Sequence, residues 1–196
     1  WRESVSVGVS VSKPGPLPQL HSGLRMEGLR RFSIYDTLRF ANVNADNLTE
    51  TFNMSFYMQY LARWPQYCKA VVAPNARIAG YILGKSEGDG AEWHGHVTAI
   101  TVAPEFRRLG TSTMLMSLLE RISEREDCWF VDLFVRRSND VAIDFYRSLG
   151  YSTYRHIVGY YSGDEDAYDM RKPLSRDVDQ KSAIPLNPLR IHADDL

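Results

Sequence analysis

The chain lacks most of the features that mark a secreted, membrane or nucleic-acid-binding protein. It has two cysteines, Cys68 and Cys128, far apart in sequence. No Cys/His spacing of a zinc site accompanies them, so they read as a buried, reduced pair and no metal is expected. No apolar run approaches the roughly 20 residues that cross a bilayer, and no apolar stretch resembles a secretory leader. With 23 Lys+Arg against 24 Asp+Glu the formal net charge is −1, which excludes nucleic-acid binding by bulk charge. There is no internal repeat. The composition, 44% hydrophobic and 24% charged over 196 residues, suits one globular domain with tails. A cytoplasmic location is the expectation.

Residues 1–25 read apart from the rest. They combine alternating Val and Ser at 4–12 with Lys13-Pro14-Gly15-Pro16-Leu17-Pro18. The prolines argue for a loop or disorder, so this segment is expected to be a disordered or non-native extension, with Met26 as the start of the native chain. Residues 26–175 form the domain, and 176–196 a polar C-terminal tail.

Along the domain, residues 29–34 read as a strand, followed by a helix capped by Asp36 and a second, aromatic-rich helix over 48–61. Residues 69–73 and 78–85 read as a hairpin through the turn at Pro74, and 94–102 as a central strand. A helix over 111–126 places Met114, Leu115, Leu118, Leu119 and Ile122 on one face. Residues 129–135 are apolar apart from Asp132, as in a strand covered on both faces. A short helix over 139–149 ends at Gly150, and 151–161 reads as the final strand. The acidic run from Asp164 to Asp169 reads as a solvated loop or, second, as a partner or substrate contact. The result is an α/β domain with a mixed sheet.

The most informative stretch is Val102-Ala103-Pro104-Glu105-Phe106-Arg107-Arg108-Leu109-Gly110-Thr111-Ser112, which joins the central strand to the third helix. Backbone N–H groups at a helix start lack intrahelical partners and bind phosphate well. Gly110 lets a ligand approach the backbone, and Arg107 and Arg108 can add charge-assisted bonds. This turn resembles the Arg/Gln-x-x-Gly-x-Gly/Ala pyrophosphate loop of the GCN5-related N-acetyltransferases (GNAT), which bind acetyl-CoA. Ser112 stands where the family has Gly or Ala. Further segments resemble the catalytic subunits of NatB-type N-terminal acetyltransferases. They are Asn47-Leu48-Thr49-Glu50-Thr51, Trp93-His94-Gly95-His96-Val97-Thr98-Ala99, Val131-Asp132-Leu133-Phe134-Val135-Arg136 and Asp164-Glu165-Asp166-Ala167-Tyr168-Asp169-Met170-Arg171-Lys172.

The resemblance implies a GNAT fold, a mixed sheet of six to seven strands flanked by about four helices. It implies acetyl-CoA as cosubstrate, held by Ile100, Val102, Arg107, Arg108, Gly110, Thr111, Ser112 and Asn139. Tyr146 would protonate the leaving thiolate, unless it is simply a core aromatic; Asn139 also reads as a plain helix cap. Glu50, Phe52, His96, Thr98, Tyr160 and Tyr161 would line the peptide site. Phe52 replaces a Tyr of the relatives, and His96 and Glu50 keep ordinary readings as a buried strand histidine and a helix-start carboxylate. His94 is expected to be structural.

The reaction implied is acetyl transfer to the α-amine of nascent chains beginning Met-Asp, Met-Glu, Met-Asn or Met-Gln. An α-amine, with its ordinary pKa near 7.7–8.0, needs little help from a base. The implied partners are a large helical-repeat auxiliary subunit contacting part of residues 52–61 and, through it, the ribosome. A chain starting Met26-Glu27 would itself be such a terminus, so acetylation of Met26 is expected. The alternatives are an acetyltransferase acting on lysine or small amines, and a non-catalytic acyl-CoA-binding subunit.

Overall fold

The computed structural model describes residues 28–44, 49, 51–74, 76–161, 165–187 and 190–195. The expectations for residues 1–25, Met26 and Glu50 lie outside them. The described elements are β1 (Gly28–Arg31), α1 (Met54–Arg63), β2 (Lys69–Val72), β3 (Ile78–Glu87), β4 (His94–Val102), α2 (Thr111–Arg125), β5 (Phe130–Arg136), α3 (Asp140–Ser148), β6 (Ser152–Tyr161), β7 (Glu165–Pro173) and β8 (Arg190–His192), with short 3-10 turns between.

The strands form one eight-stranded sheet in the order β1-β2-β3-β4-β5-β7-β6-β8. The pairs β4–β5 and β6–β8 are parallel and the others antiparallel. A parallel neighbour requires a crossover, and α2 supplies it between β4 and β5. The helix lies close on the sheet because β4 offers no side chain at Gly95, where a Cβ would sit 2.0 Å from Ser123 Oγ. Leu115, Met116 and Leu119 of α2 are fully buried against the sheet.

Several expectations change. Among the described residues the sheet has eight strands rather than six or seven, and three α-helices rather than about four. The helix expected after Asp36 is a 3-10 turn, Ile34–Leu38, that starts at Ser33. Asp36 closes its capping box by accepting from the Ser33 N–H at 2.7 Å, and Arg30 grips the same carboxylate with two bonds of 2.7 Å. The aromatic helix begins at Met54, not at 48, because Asn53 caps it by accepting from the Phe56 N–H at 2.9 Å.

The acidic run is not a solvated loop where it is described: residues 165 onward form β7, between β5 and β6. Its charges are internal. Asp169 is fully buried and accepts from Arg155 at 2.8 Å, while Asp166 accepts from His156 at 2.7 Å and from the Gly159 N–H at 3.0 Å. Strand β6 is therefore not the last. Within the expected tail, β8 pairs with β6 from His156↔Arg190 to Val158↔His192.

Candidate active site

The site forms where β4 and β5 part. They pair only from His94↔Phe130 to Val97↔Leu133. Beyond that, β4 stays with β3 to Val102 and β5 stays with β7 to Arg136. The register of β3 against β4 jumps from Gly84↔Val97 to Leu83↔Ala99, leaving Thr98 as an extra residue. A bulge bends and twists the strand that carries it, and this one falls at the point of separation. The two strand ends thus face each other across a gap, with backbone groups not used by the β4–β5 ladder.

One end of the gap holds the turn expected to cradle phosphate. Val102, Phe106, Arg107, Arg108, Gly110, Thr111, Ser112 and Phe145 line a pocket there. Gly110 caps α2 at φ 80°, and a Cβ on it would meet nothing within 4 Å. Glycine is thus needed for the backbone angle, and the space beside it is open. The first i→i−4 bond of the helix comes from Met114 to Gly110, at 3.0 Å, so the N–H groups of residues 111–113 have no acceptor one turn back within α2. Arg108 holds φ 66°, a left-handed angle that a non-glycine residue adopts at a cost. Arg107 Nε donates to the Val102 carbonyl at 3.1 Å, which ties its guanidinium to the strand end. Ser112 lies in the pocket, as a small residue must. Val102 lines it too, whereas the Ile100 side chain is buried in the core and does not line the pocket.

Asn139 is the cap of α3; its Oδ1 accepts from the Ala142 N–H at 3.1 Å. Tyr146, on the same helix, is fully buried. Its hydroxyl has no hydrogen-bond partner among the described residues. Burial, reinforced by Tyr161, pushes its pKa well above the usual phenol range, so it keeps its proton at any working pH. A buried hydroxyl without a partner is costly to a fold, and this one fits a ligand that supplies the missing acceptor.

From Tyr146 a line of rings crosses to β4. Tyr161 neighbours Tyr146 electrostatically; the Tyr161 and Tyr160 rings are 5.0 Å apart, Tyr160 and Phe134 4.9 Å, and Phe134 and His96 5.6 Å. The structure therefore brings Tyr146, Tyr160, Tyr161 and His96 together. Arg136 stacks on Tyr161 at 4.2 Å and pairs with Glu165 of β7, which also accepts from Ser138.

His96 is buried, and its Nδ1 meets Asp132 Oδ1 at 2.8 Å. Thr98 is fully buried and its hydroxyl donates to Tyr60 at 2.9 Å. Phe52 does not stand alone in the site: it stacks on Phe56 at 4.1 Å, and its N–H donates to the Tyr57 hydroxyl at 3.3 Å. His94 stacks on Phe130 at 4.7 Å, its Nδ1 donates to the Glu92 carbonyl at 2.6 Å, and its Nε2 lies 3.5 Å from Asp132. Burial raises the Asp132 pKa, but His94, His96 and Arg171 lower it more, so the carboxylate ionises well below its usual range. Glu87, His94 and His96 each bring one donor atom within 4.8 Å of the others, but both rings already engage Nδ1.

Sequence reasoning missed Phe134, Tyr60 and the role of Asp132. Asp132 did leave a signal, as the one charge in an otherwise apolar strand. Both thiols are removed from chemistry. Burial pushes Cys68 up to about 12 and Cys128 up to about 11.

Comparison with known proteins agrees with this geometry. Residues 34–151 match the Acetyltransferase (GNAT) family. The N-terminal acetyltransferase B complex catalytic subunit NAA20 of Arabidopsis thaliana is 60% identical over 162 residues, covering 82% of this chain and 93% of its own. The crystal structure of Chaetomium thermophilum Naa20 in complex with a bisubstrate analogue is 41% identical, with a TM-score of 0.80 over 85% of this chain and 97% of that one. A NatB acetyltransferase complex bound to CoA and MES is 42% identical, with a TM-score of 0.70 over 75% and 99%. A cradle at a helix start, a parted strand pair and this degree of likeness lead to one conclusion: the chain belongs to the GNAT acetyltransferase family, among its N-terminal acetyltransferases.

Proposed function

We propose that this chain is a NatB-type catalytic subunit that moves an acetyl group from acetyl-CoA to the α-amine of proteins beginning Met-Asp, Met-Glu, Met-Asn or Met-Gln. The observation that carries the reading is the gap between β4 and β5, with the Gly110 pocket at one end, together with the buried Tyr146 hydroxyl beside Tyr161, which has no hydrogen-bond partner among the described residues. The N–H groups opening α2, with Arg107 and Arg108, hold the diphosphate. The backbone of Ile100 to Val102 and the cap Asn139 align the chain of the coenzyme. Acetyl-CoA supplies an acyl carbon activated by a thioester whose sulfur leaves needing a proton. Tyr146 holds that proton at its hydroxyl, since burial keeps it protonated. No cysteine is ionised to take the acetyl group first, which supports direct transfer.

The peptide enters from the side of Phe52, His96, Thr98, Tyr160 and Tyr161. About a tenth or more of an α-amine is already neutral at pH 7, against less than about a thousandth of a lysine amine, which matches a site with no strong base among its described residues. Tyr35, Leu38 and Met58 are 73%, 75% and 57% exposed on the 3-10 turn and α1. This apolar surface supports docking of a large auxiliary subunit, and through it of the ribosome, in the cytoplasm. Among the described residues no helix is long and apolar enough to cross a membrane.

The test is a peptide panel with acetyl-CoA, using chain co-purified with its large partner. Turnover of Met-Asp peptides with little on an internal lysine is expected. Equal turnover of both would favour a lysine acetyltransferase, and coenzyme binding without any turnover would mean a non-catalytic subunit.

A further inference from the structure

Two histidines and a carboxylate meet on one face of the sheet just below the fork. His94 and His96 alternate along β4, so their side chains share that face. Glu87 of β3 is the register partner of His94, and Asp132 of β5 that of His96. Glu87, His94 and His96 each bring a donor atom within 4.8 Å of the others. No local Cys/His spacing announces this group, because it is completed from a neighbouring strand.

The partners of the two rings fix which nitrogen each can give. Burial opposes ionisation of Asp132, but His94, His96 and Arg171 outweigh it, so Asp132 is a carboxylate. A carboxylate and a backbone carbonyl only accept. His94 Nδ1, 2.6 Å from the Glu92 carbonyl, and His96 Nδ1, 2.8 Å from Asp132 Oδ1, therefore both carry hydrogens. The neutral form of each ring then has its lone pair on Nε2. Histidines that ligate a metal are held in this way, with the other ring N–H given to a carboxylate or a backbone carbonyl.

His94 Nε2 lies 3.9 Å from Glu87 Oε1 and 3.5 Å from Asp132 Oδ1. A lone pair facing two carboxylates is repulsive, so the position calls for positive charge. A proton on Nε2 answers this poorly, since both separations exceed hydrogen-bond length. A metal ion answers it better. Zinc sits about 2.0–2.1 Å from a histidine nitrogen and about 2.0–2.2 Å from a carboxylate oxygen, which puts tetrahedral ligand atoms about 3.3–3.5 Å apart. The Glu87 side chain is 41% exposed and free to close the difference. Its Oε2 bridges Lys85 Nζ at 2.7 Å, which leaves Oε1 for an ion. The positive charges of Lys85 and Arg171 are matched by the carboxylates of Glu87 and Asp132.

We propose that Glu87, His94 and His96 form a binding site for a divalent transition-metal ion, with Asp132 as the residue that positions His96. Imidazole and carboxylate together suit zinc, and three protein ligands leave a fourth position for water. The ion ties β3 to β4 and, through Asp132, to β5, next to where β4 and β5 part. None of the three ligands lines the pocket at Gly110, and the inference stands whether or not the proposed reaction does.

The experiment titrates Zn²⁺, and Co²⁺ for its visible bands, into tag-free enzyme co-purified with its partner and stripped of metal by a chelator. Saturation at one ion per chain is expected, with the Co²⁺ spectrum of a four-coordinate site. Tm should rise as well, since an ion that binds only the folded state stabilises it. Glu87→Gln and His94→Gln should each weaken binding by about tenfold or more, and Asp132→Asn by roughly 10- to 100-fold, the cost of losing an outer partner of a ligand. If His94→Gln, which gives up the stack on Phe130, does not fold, the exposed Glu87→Gln decides. The proposal is overturned if wild-type enzyme shows no saturable binding, or if neither Glu87→Gln nor His94→Gln changes the affinity, which would put the ion elsewhere. An affinity unchanged in Asp132→Asn would remove the positioning role of that residue.

Discussion

Replacing Tyr146 by Phe separates the demands of folding from those of chemistry. The hydroxyl is fully buried and unpartnered among the described residues. A buried polar group in that state costs a fold about 1–3 kcal/mol. The ring itself stays packed between Phe145 and Tyr151, with centroids 5.4 and 5.9 Å away, and Phe preserves those contacts. Tyr146→Phe should therefore be as stable as the wild type or more so, by up to about 2 kcal/mol, which in a domain of this size raises Tm by roughly 4–8 °C. A positioned acid contributes about 10²–10⁴ to a rate, so kcat should fall by at least a hundredfold while the KM values for acetyl-CoA and peptide change little. Thermal melts and steady-state kinetics on the same preparation measure both. A variant that melts lower would mean the hydroxyl is structural. One that keeps kcat within twofold would mean it handles no proton. Either result refutes the reasoning.

Three other perturbations follow from the geometry. Gly110→Ala meets no atom within 4 Å but must hold φ 80°, a strain of about 1–2 kcal/mol for any residue with a Cβ; the KM for acetyl-CoA should rise severalfold with the peptide KM unchanged, and a shift confined to the peptide would contradict the cradle. Asp36→Asn weakens the bonds from Arg30 and Ser33, each 2.7 Å, and should cost about 1–2 kcal/mol at pH 7, allowing for the exposed Arg30. Burial raises the Asp36 pKa, but Arg30 and the Ser33 N–H lower it below its usual range, so its stabilisation is present above that range and lost as pH falls; the gap between the urea midpoints of variant and wild type should narrow as pH drops below the usual carboxylate range. Cys68 and Cys128, raised to about 12 and about 11 by burial, should resist iodoacetamide at pH 8 in the folded enzyme and react only on unfolding, as mass spectrometry would read directly.

Strand β4 was legible to the residue, because nine positions of small, β-branched and aromatic-ring side chains read as strand with little competition. The cradle was legible because it depends on backbone chemistry that Gly110 and the arginines announce. Strand β7 was not. Five of its nine residues are charged, counting Glu165, Asp166, Asp169, Arg171 and Lys172, and hydropathy reads such a run as solvated. What holds it inside is pairing between strands: Asp169 with Arg155, and Arg171 laid over Phe130 and Tyr154 at 4.3 and 3.5 Å. Those partners lie 14 and more residues away, beyond the reach of a local pattern. The bulge at Thr98 was equally hidden, since nothing in Val97-Thr98-Ala99 distinguishes a bulged pair from a regular one.

That bulge and the buried charges answer the same structural need. A sheet that parts in its middle gives up ladder hydrogen bonds and exposes core, so the separation must be held by something other than apolar contact. On the β5 side, Asp132 anchors both histidines of β4 just below the fork. Above it, Arg136 and Ser138 bind Glu165, which ties the free end of β5 to β7 and away from β4. Hydrophobic residues at these positions would favour closing the gap, because apolar faces gain by meeting. Hydrogen-bonded pairs have directional partners and gain nothing from collapse. The ion pairs at Asp132 and Glu165 thus fix β5 on either side of the fork, to the histidines of β4 below it and to β7 above it.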